Sequence, residues 1–501
     1  MEMEFSVLDI LARVFTITNM LAIMGGVVGG LVIGSLPGLT ANMGVALLLP
    51  VTFSMGPIEA LLMLASLYTA AIYGGSLSAI LLYTPGTSAS AATAIDGFEL
   101  TRQGKAGTAI RISTFSSMFG GLISAVFLLL LAPPLSLVSL KFGPPEYFLL
   151  AVFGLTVIGT LASGNMIKGL LSGALGLLLS TAGMDLDSGF PRFTFGVFAL
   201  HSGIEFVPAV IGLFSMSQAL IMSEEVHKTI QQAKTPSGTD WRFFPSLEEL
   251  RRIKFTLLRS SLIGVFIGIL PGAGGDIGSW VSYNEAKRFS KNREKFGKGA
   301  IEGVCASEAA NNAVTGSSMI PMLTLGIPGS ATAAVMLGAL IIQGLVPGRE
   351  LFTRNGYITY TFIVGFFFAN IIMGIIGMLL SRHVTYITRL SNNALIPVII
   401  ILCIVGSYSL GNNIFDVYVM LAFGFLGFAM RKTGFHPAPT ILGLILGPMA
   451  ENGFRQSVTL SKGALFSYFF TRPICLILFA LIAISIVTSI VLGRRTSIFK
   501  Q

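Results

Sequence analysis

The sequence predicts an all-α polytopic membrane protein arranged as two inverted repeats with broken helices or re-entrant hairpins. Three observations carry that expectation: a composition too apolar for water, a duplicated motif, and Pro-Gly pairs set inside apolar runs. Of 501 residues, 53% are hydrophobic and 11% charged, and mean hydropathy is +0.81. Soluble proteins carry about 25% charged residues, so lipid is the solvent for most of this chain. The formal net charge of +9 lies in short loops between apolar runs. It sets orientation and offers no basic face to nucleic acid. Cys305, Cys403 and Cys475 have no paired spacing. They are expected as buried hydrophobes, not as a disulfide framework or a zinc site. Met1 to Thr16 carries Glu2, Glu4 and Asp9 where a secretory signal would be positive, so the first apolar segment is expected to be retained.

A crossing helix needs about 20 apolar residues, and such runs are expected near 112–132, 146–163, 166–182, 204–222, 357–381, 394–410, 414–430 and 464–491. Lys and Arg gather at Arg102, Lys105 and Arg111, in 223–256, at Lys287 to Lys298, at Arg382 and Arg389, at Arg431 and Lys432, and at Arg494 and Arg495. These stretches are expected to be cytoplasmic. The parity agrees in two places: four spans separate Arg111 from Ser223, and two separate Arg382 from Arg431, so Asp185 and Asp187 fall in an acidic loop on the opposite side. The long polar stretch 223–256 reads as a cytoplasmic connector. The chain divides into a first membrane half, 1–222, that connector, 223–256, and a second membrane half, 257–501.

The duplication is explicit. GLVIGSLPG at 30–38 matches GVFIGILPG at 264–272 at a spacing of 234, and Asn42 then falls on Asp276. Further on, GGSLSAILLYTPGTSAS (74–90) resembles GSSMIPMLTLGIPGSAT (316–332), with Pro85-Gly86 on Pro328-Gly329 at a spacing of 243. Each half thus carries two Pro-Gly breaks: Pro37-Gly38 and Pro85-Gly86, then Pro271-Gly272 and Pro328-Gly329. Such a pair removes a backbone donor and admits positive φ, so a helix stops there with end groups unpaired. In hydrocarbon those groups survive only where protein, water or a ligand satisfies them. Restarting half-helices at TANMG (40–44) and AGGDIG (273–278) would present free N–H groups and a positive dipole end to a carboxylate. Packing of small residues is the competing explanation, but it does not call for prolines. The loop 54–57 has no charge whereas its counterpart, 284–298, has six basic residues, which turns equivalent loops to opposite sides. Inverted repeats with broken helices are the architecture of secondary transporters.

The expected substrate-binding set is therefore Pro37, Gly38, Thr40, Asn42, Thr84, Pro85, Gly86, Thr87, Ser88, Pro271, Gly272, Gly274, Asp276, Pro328, Gly329 and Ser330. Asp96, Asp276 and Glu308 are carboxylates in small or apolar surroundings, functional candidates by default. Asp96 reads better as a cap beside a cytoplasmic loop. Glu308, with Asn311, Asn312, Thr315 and Ser317, supplies oxygens of the kind hard cations take, and a sodium site is expected there; an interhelical hydrogen bond or a proton carrier are the alternatives. No Lys or Arg lies within the break motifs, so a polyanion would need co-bound cations. Glu451 and Arg455, four apart, read as a helix salt bridge. The four histidines share no metal spacing, and no Walker motif occurs; no covalent cofactor, no ATPase subunit and no enzymatic activity are expected.

Together GLVIGSLPGLTANMGVALLLP (30–50), YGGSLSAILLYTPGTSASAATAIDG (73–97), GILPGAGGDIGSW (268–280), SEAANNAVTGSSMIPMLTLGIPGSATAA (307–334) and LGLILGPMAENGFRQS (442–457) resemble the large membrane subunit of bacterial tripartite tricarboxylate transporters. The resemblance extends over nearly the whole chain. It implies about 12 transmembrane segments and a bacterial inner-membrane, multi-pass permease. It also implies a small membrane subunit, a periplasmic solute-binding protein and uptake of tricarboxylates or related carboxylates on an ion gradient. A passive anion channel or a carboxylate exporter is the alternative.

Overall fold

In hydrocarbon every backbone N–H and C=O needs an internal partner, so apolar sequence of this kind folds into helices. The computed structural model describes residues 6–36, 38–138, 141–161, 166–185, 188–224, 242, 244–272, 274–381 and 392–498. Among them, six helices are long and apolar enough to cross a membrane: Ile17–Ser35, Pro57–Leu82, Ala106–Val138, Phe206–Glu224, Gly356–Ser381 and Ile414–Lys432. Shorter apolar helices include Ala41–Ser54, Ile167–Ser180, Ala331–Ile342, Ala394–Ser409 and Pro473–Ile486. The strands among the described residues are one short antiparallel pair, Gly183–Met184 with Pro191–Arg192. The protein is an all-α polytopic membrane protein.

The expected spans 112–132, 357–381 and 414–430 fall inside three of these six helices, and 204–222 overlaps a fourth, Phe206–Glu224. Those at 146–163, 166–182 and 394–410 correspond to Pro144–Leu161, Met166–Ser180 and Asn392–Gly411. The expected run 464–491 is divided into Leu465–Phe470 and Pro473–Ile498, because Pro473 brings no N–H and takes the first position of a new helix. Ile17–Ser35 and Pro57–Leu82 are additional long helices that the hydropathy reading passed over. Glycines dilute the first, and hydroxyls and small residues the second, whose window is 94% buried. Pro37, Asp187, Arg382, Arg389 and most of the connector lie outside the described residues.

The chain forms two compact units. One gathers Met1–Pro134, Gln218–Leu270 and Gly274–Leu402; the other gathers Leu135–Ser217, Pro271–Ala273 and Cys403–Gln501. Each draws on both halves of the sequence.

The second unit packs through glycines. Gly176 lies against the Thr440 carbonyl, Gly443 against the Gly173 carbonyl and Gly453 against the Pro144 carbonyl, leaving no room for a Cβ. This draws Pro144–Leu161 and Met166–Ser180 onto Pro437–Leu460. The expected salt bridge of Glu451 and Arg455 is present at 2.7 Å, inside a larger network. Arg455 also pairs with Asp185 at 2.6 Å, and Arg192 pairs with Asp185 and Glu451. The hydrogen bond from Arg192 to Glu451 holds that guanidinium protonated beyond its usual range.

In the first unit each repeat begins with a helical hairpin. Ile17–Ser35 turns back as Ala41–Leu48, and Leu247–Ile269 turns back as Gly274–Phe289. In the second of these the Arg259 guanidinium donates to the Glu285 carbonyl across the two arms. A long helix follows, Pro57–Leu82 in one repeat and Ile301–Ser317 continued by Met319–Leu325 in the other. Each then breaks and reverses, into Ala91–Arg102 and Ala331–Ile342.

The equivalence extends to single contacts. Gly30 lies on the Leu67 carbonyl and Ala70, and Gly264 on the Ala310 carbonyl and Ala313. Tyr83 at φ 56° and Gly326 at φ 72° end the two long helices in left-handed caps. Gly86 N–H donates to the Gly75 carbonyl and Gly329 N–H to the Ser318 carbonyl, each at 3.1 Å. The long helices meet each other as well. Thr69 donates to Asn312 Oδ1 at 3.2 Å, and Ser76 to Glu308 Oε1 at 2.6 Å. As one number rises the other falls, so the helices pass in opposite directions. Thr69 and Asn312 also stand at the 243-residue spacing that relates Pro85-Gly86 to Pro328-Gly329.

Candidate functional site

Gly38, Pro85-Gly86 and Pro328-Gly329 belong to the first unit. Gly38 takes φ 90° between helices that end at Ser35 and restart at Ala41 after an extended Thr40. Gly272 takes φ 76° before the Gly274–Phe289 helix. The second tip of each repeat then tucks under the first: Gly86 presses on the Gly34 carbonyl and Gly329 on the Gly268 carbonyl, so closely that no Cβ fits at either glycine. Only glycine allows backbone to meet backbone in this way.

The tips also reach across to the other repeat. Ser88 donates to Asp276 Oδ2 at 2.8 Å. Gly274 N–H donates to the Gly329 carbonyl at 3.3 Å within the second repeat. The Tyr68 hydroxyl lies 3.0 Å from Ser330 Oγ, and Ser330 caps its helix by accepting from Ala333 N–H at 3.1 Å. Of the expected set, Thr40, Thr87, Ser88, Gly274, Asp276, Gly329 and Ser330 stand at helix starts or the turns leading into them. Thr40 Oγ1 is buried without a partner. Thr84 is exposed and bonds locally to the Leu82 carbonyl. Asn42 lies in the first turn after the first break.

Glu308 is fully buried and enclosed by hydroxyls. Ser76 and Thr93 donate to Oε1, and Ser113 and Ser117 to Oε2 at 3.1 and 2.7 Å. Thr93 also meets Ser307. The donors come from three helices, so the carboxylate ties Pro57–Leu82, Ala91–Arg102 and Ala106–Val138 to Ile301–Ser317. Its lone pairs are occupied. The five residues expected to hold a cation do not converge around it. Asn312 Oδ1 accepts from Thr69, the Thr315 hydroxyl turns back to the Asn312 carbonyl, and Ser317 bonds its own helix and Gly264. The physical reason is helical spacing: Ser317 lies nine residues beyond Glu308, off the face that carries Glu308, Asn312 and Thr315. The sequence alone gave no means of assigning Ser113 and Ser117 to Glu308, since nothing local links them.

Asn311 differs from its neighbours. It is completely buried, and neither its Oδ1 nor its Nδ2 has a partner. Its Oδ1 lies where a Cβ on Gly275 would be, beside Ala89, at the first turn of Gly274–Phe289.

Asp96 has the expected capping role. Its Oδ1 accepts from Gly297, Gly299 and Ala300 N–H at 2.8 to 2.9 Å, and its Oδ2 from the Tyr283 hydroxyl at 2.9 Å. It fastens the basic loop to the start of Ile301–Ser317. All three cysteines are buried and free.

The family model described as the tripartite tricarboxylate transporter TctA family matches residues 20–442. An uncharacterized 52.8 kDa protein in the TAR-I ttuC' 3'region of Agrobacterium vitis is 38% identical over 481 residues, covering 95% of this chain and 94% of that protein. A second uncharacterized protein, in the TAR-II ttuC' 3'region of the same organism, is 36% identical over 241 residues, 48% of this chain and 99% of that protein. No solved structure matches the chain.

Proposed function

Because the chain belongs to the tripartite tricarboxylate transporter TctA family, a family of multi-pass membrane transport components, we propose that it is the permease of a secondary active importer. It takes up tricarboxylates or related carboxylates on a sodium gradient. It receives substrate from a periplasmic solute-binding protein and works with a small membrane subunit in the bacterial inner membrane.

The observation that carries this reading is the gathering of helix breaks from both repeats in one compact unit, Gly86 on Gly34 and Gly329 on Gly268, with Ser88 and Asp276 joining across the repeats. Backbone freed at such tips is tolerated at membrane depth only where protein encloses it or where it lines a water-filled cavity. Helix starts at Ala41 and Ala331 direct N–H groups and positive dipole ends there. The opposed directions of the long helices support inverted repeats, in which one arrangement can open to either side. The substrate-binding residues are those of the four tips, from Gly38 and Thr40 to Gly329 and Ser330.

The test is citrate uptake into vesicles carrying the protein with its binding protein. Accumulation above the outside concentration, dependent on an inward sodium gradient, is expected. Gly86→Leu and Gly329→Leu should each abolish it while the protein still inserts. Equilibration without accumulation would establish a passive channel instead, and full uptake by both variants would remove the tips from the pathway.

A further inference from the structure

The repeat equivalence identifies two corners that ought to be alike and are not. At the spacing fixed by Leu67 and Ala310, and by Ala70 and Ala313, Tyr68 corresponds to Asn311 and Thr87 to Ser330. In the first corner the Tyr68 hydroxyl bonds Ser330, which in turn donates to Ser318 at 3.3 Å. The protein satisfies itself there.

In the second corner the phenol is replaced by the much shorter Asn311, buried, with both amide atoms unpartnered. Its oxygen is aimed at the first turn of Gly274–Phe289, beside Gly275. The next residue, Asp276, accepts from Ser88, whose oxygen keeps its lone pairs. An amide oxygen, a carboxylate and a hydroxyl thus share one helix start. A helix start carries about half a positive charge, so the full negative charge of Asp276 leaves the corner net negative. That disfavours a second anion and favours a cation. All-oxygen donors with one carboxylate suit a small hard ion. No group of three His, Cys, Asp or Glu side chains that would hold a transition metal occurs among the described residues.

We propose that this corner binds one monovalent cation through Asn311 Oδ1, the Asp276 carboxylate and Ser88 Oγ, and that Tyr68 closes its pseudo-equivalent. The inference rests on the cation-driven reading above and gives the coupling ion a location apart from Glu308. It also makes the two repeats unequal in function, with one ion for the pair.

Binding of radioactive Na⁺ to the purified full-length protein, with Trp280 fluorescence as a second signal from the same helix, tests it. Wild-type protein is expected to bind one Na⁺. Asn311→Tyr, which supplies the ring of the other corner, and Asn311→Leu should each weaken binding by about tenfold or more, a loss of about 1.4 kcal/mol. Asn311→Asp, which keeps an oxygen, should retain it. Wild-type affinity in both Asn311→Tyr and Asn311→Leu would overturn the proposal, as would loss of binding in Asn311→Asp with its fold intact. If wild-type vesicles accumulate citrate yet the protein binds no Na⁺, the ion site falls and the importer reading stands. If Na⁺ binds through Asn311 but no citrate accumulates, the importer reading falls instead.

Discussion

Glu308 and Asp96 are both fully buried carboxylates, yet their surroundings assign them different work. Glu308 accepts only from side-chain hydroxyls on other helices. Asp96 accepts three backbone N–H groups and one phenol. Glu308→Gln would set an amide N–H₂ against hydroxyls that must then turn round, so a loss of about 1–3 kcal/mol is predicted, read as a lower melting temperature in detergent. An unchanged melting temperature would show that the hydroxyl cage contributes little. Asp96→Ala would leave three N–H groups without their acceptor. Proteolysis between Lys291 and Lys298 should then accelerate by about tenfold, and a wild-type rate would refute the fastening role. Both carboxylates were legible in the sequence as charges out of place. Their partners were not, because hydroxyls on distant helices leave no local pattern. Tyr68 was missed for another reason: a buried tyrosine looks like ordinary core until its repeat counterpart, Asn311, is set beside it.

The hairpins are built by glycines doing different jobs. Gly26, Gly30 and Gly34 follow one face of Ile17–Ser35 and lie against the Met63, Leu67 and Ala71 carbonyls, whereas Gly25 on the other face has nothing near it. Gly30→Ala or Gly34→Ala is predicted to force the two helices apart and abolish folded protein on size-exclusion chromatography. Gly25→Ala should instead gain up to about 1 kcal/mol from helix propensity. Equal behaviour of the two faces would contradict this packing. The breaks themselves were readable, since each Pro-Gly pair names the place where a helix must stop. The tuck of Gly86 under Gly34 was not, because it joins backbone atoms about 50 residues apart and leaves only a glycine as its trace.

At the scale of the molecule, repeat halves and compact units are different divisions of the same chain. The halves follow from duplicated motifs, which sequence displays directly. The units follow from packing, and Met1–Pro134 is grouped with Gly274–Leu402 because the long helices of the two repeats bond to each other through Thr69, Asn312, Ser76 and Glu308. Inverted repeats require the loop 54–57 and its counterpart 284–298 to face opposite sides of the membrane. Single cysteines at Ser54 and Ser290 should therefore react with an impermeant thiol reagent from opposite sides in oriented vesicles; reaction from the same side would exclude inversion. The native cysteines are buried and give such an assay a low background.

That background also suits the most direct test of whether the tips line a carboxylate pathway. Cysteines placed at Thr84 and Ala331, one in each repeat, should react with a water-soluble maleimide, and citrate with Na⁺ should slow both reactions by about tenfold, as a ligand does when it occupies the labelled surface. Rates that are the same with and without citrate at both positions would contradict a substrate site between the tips.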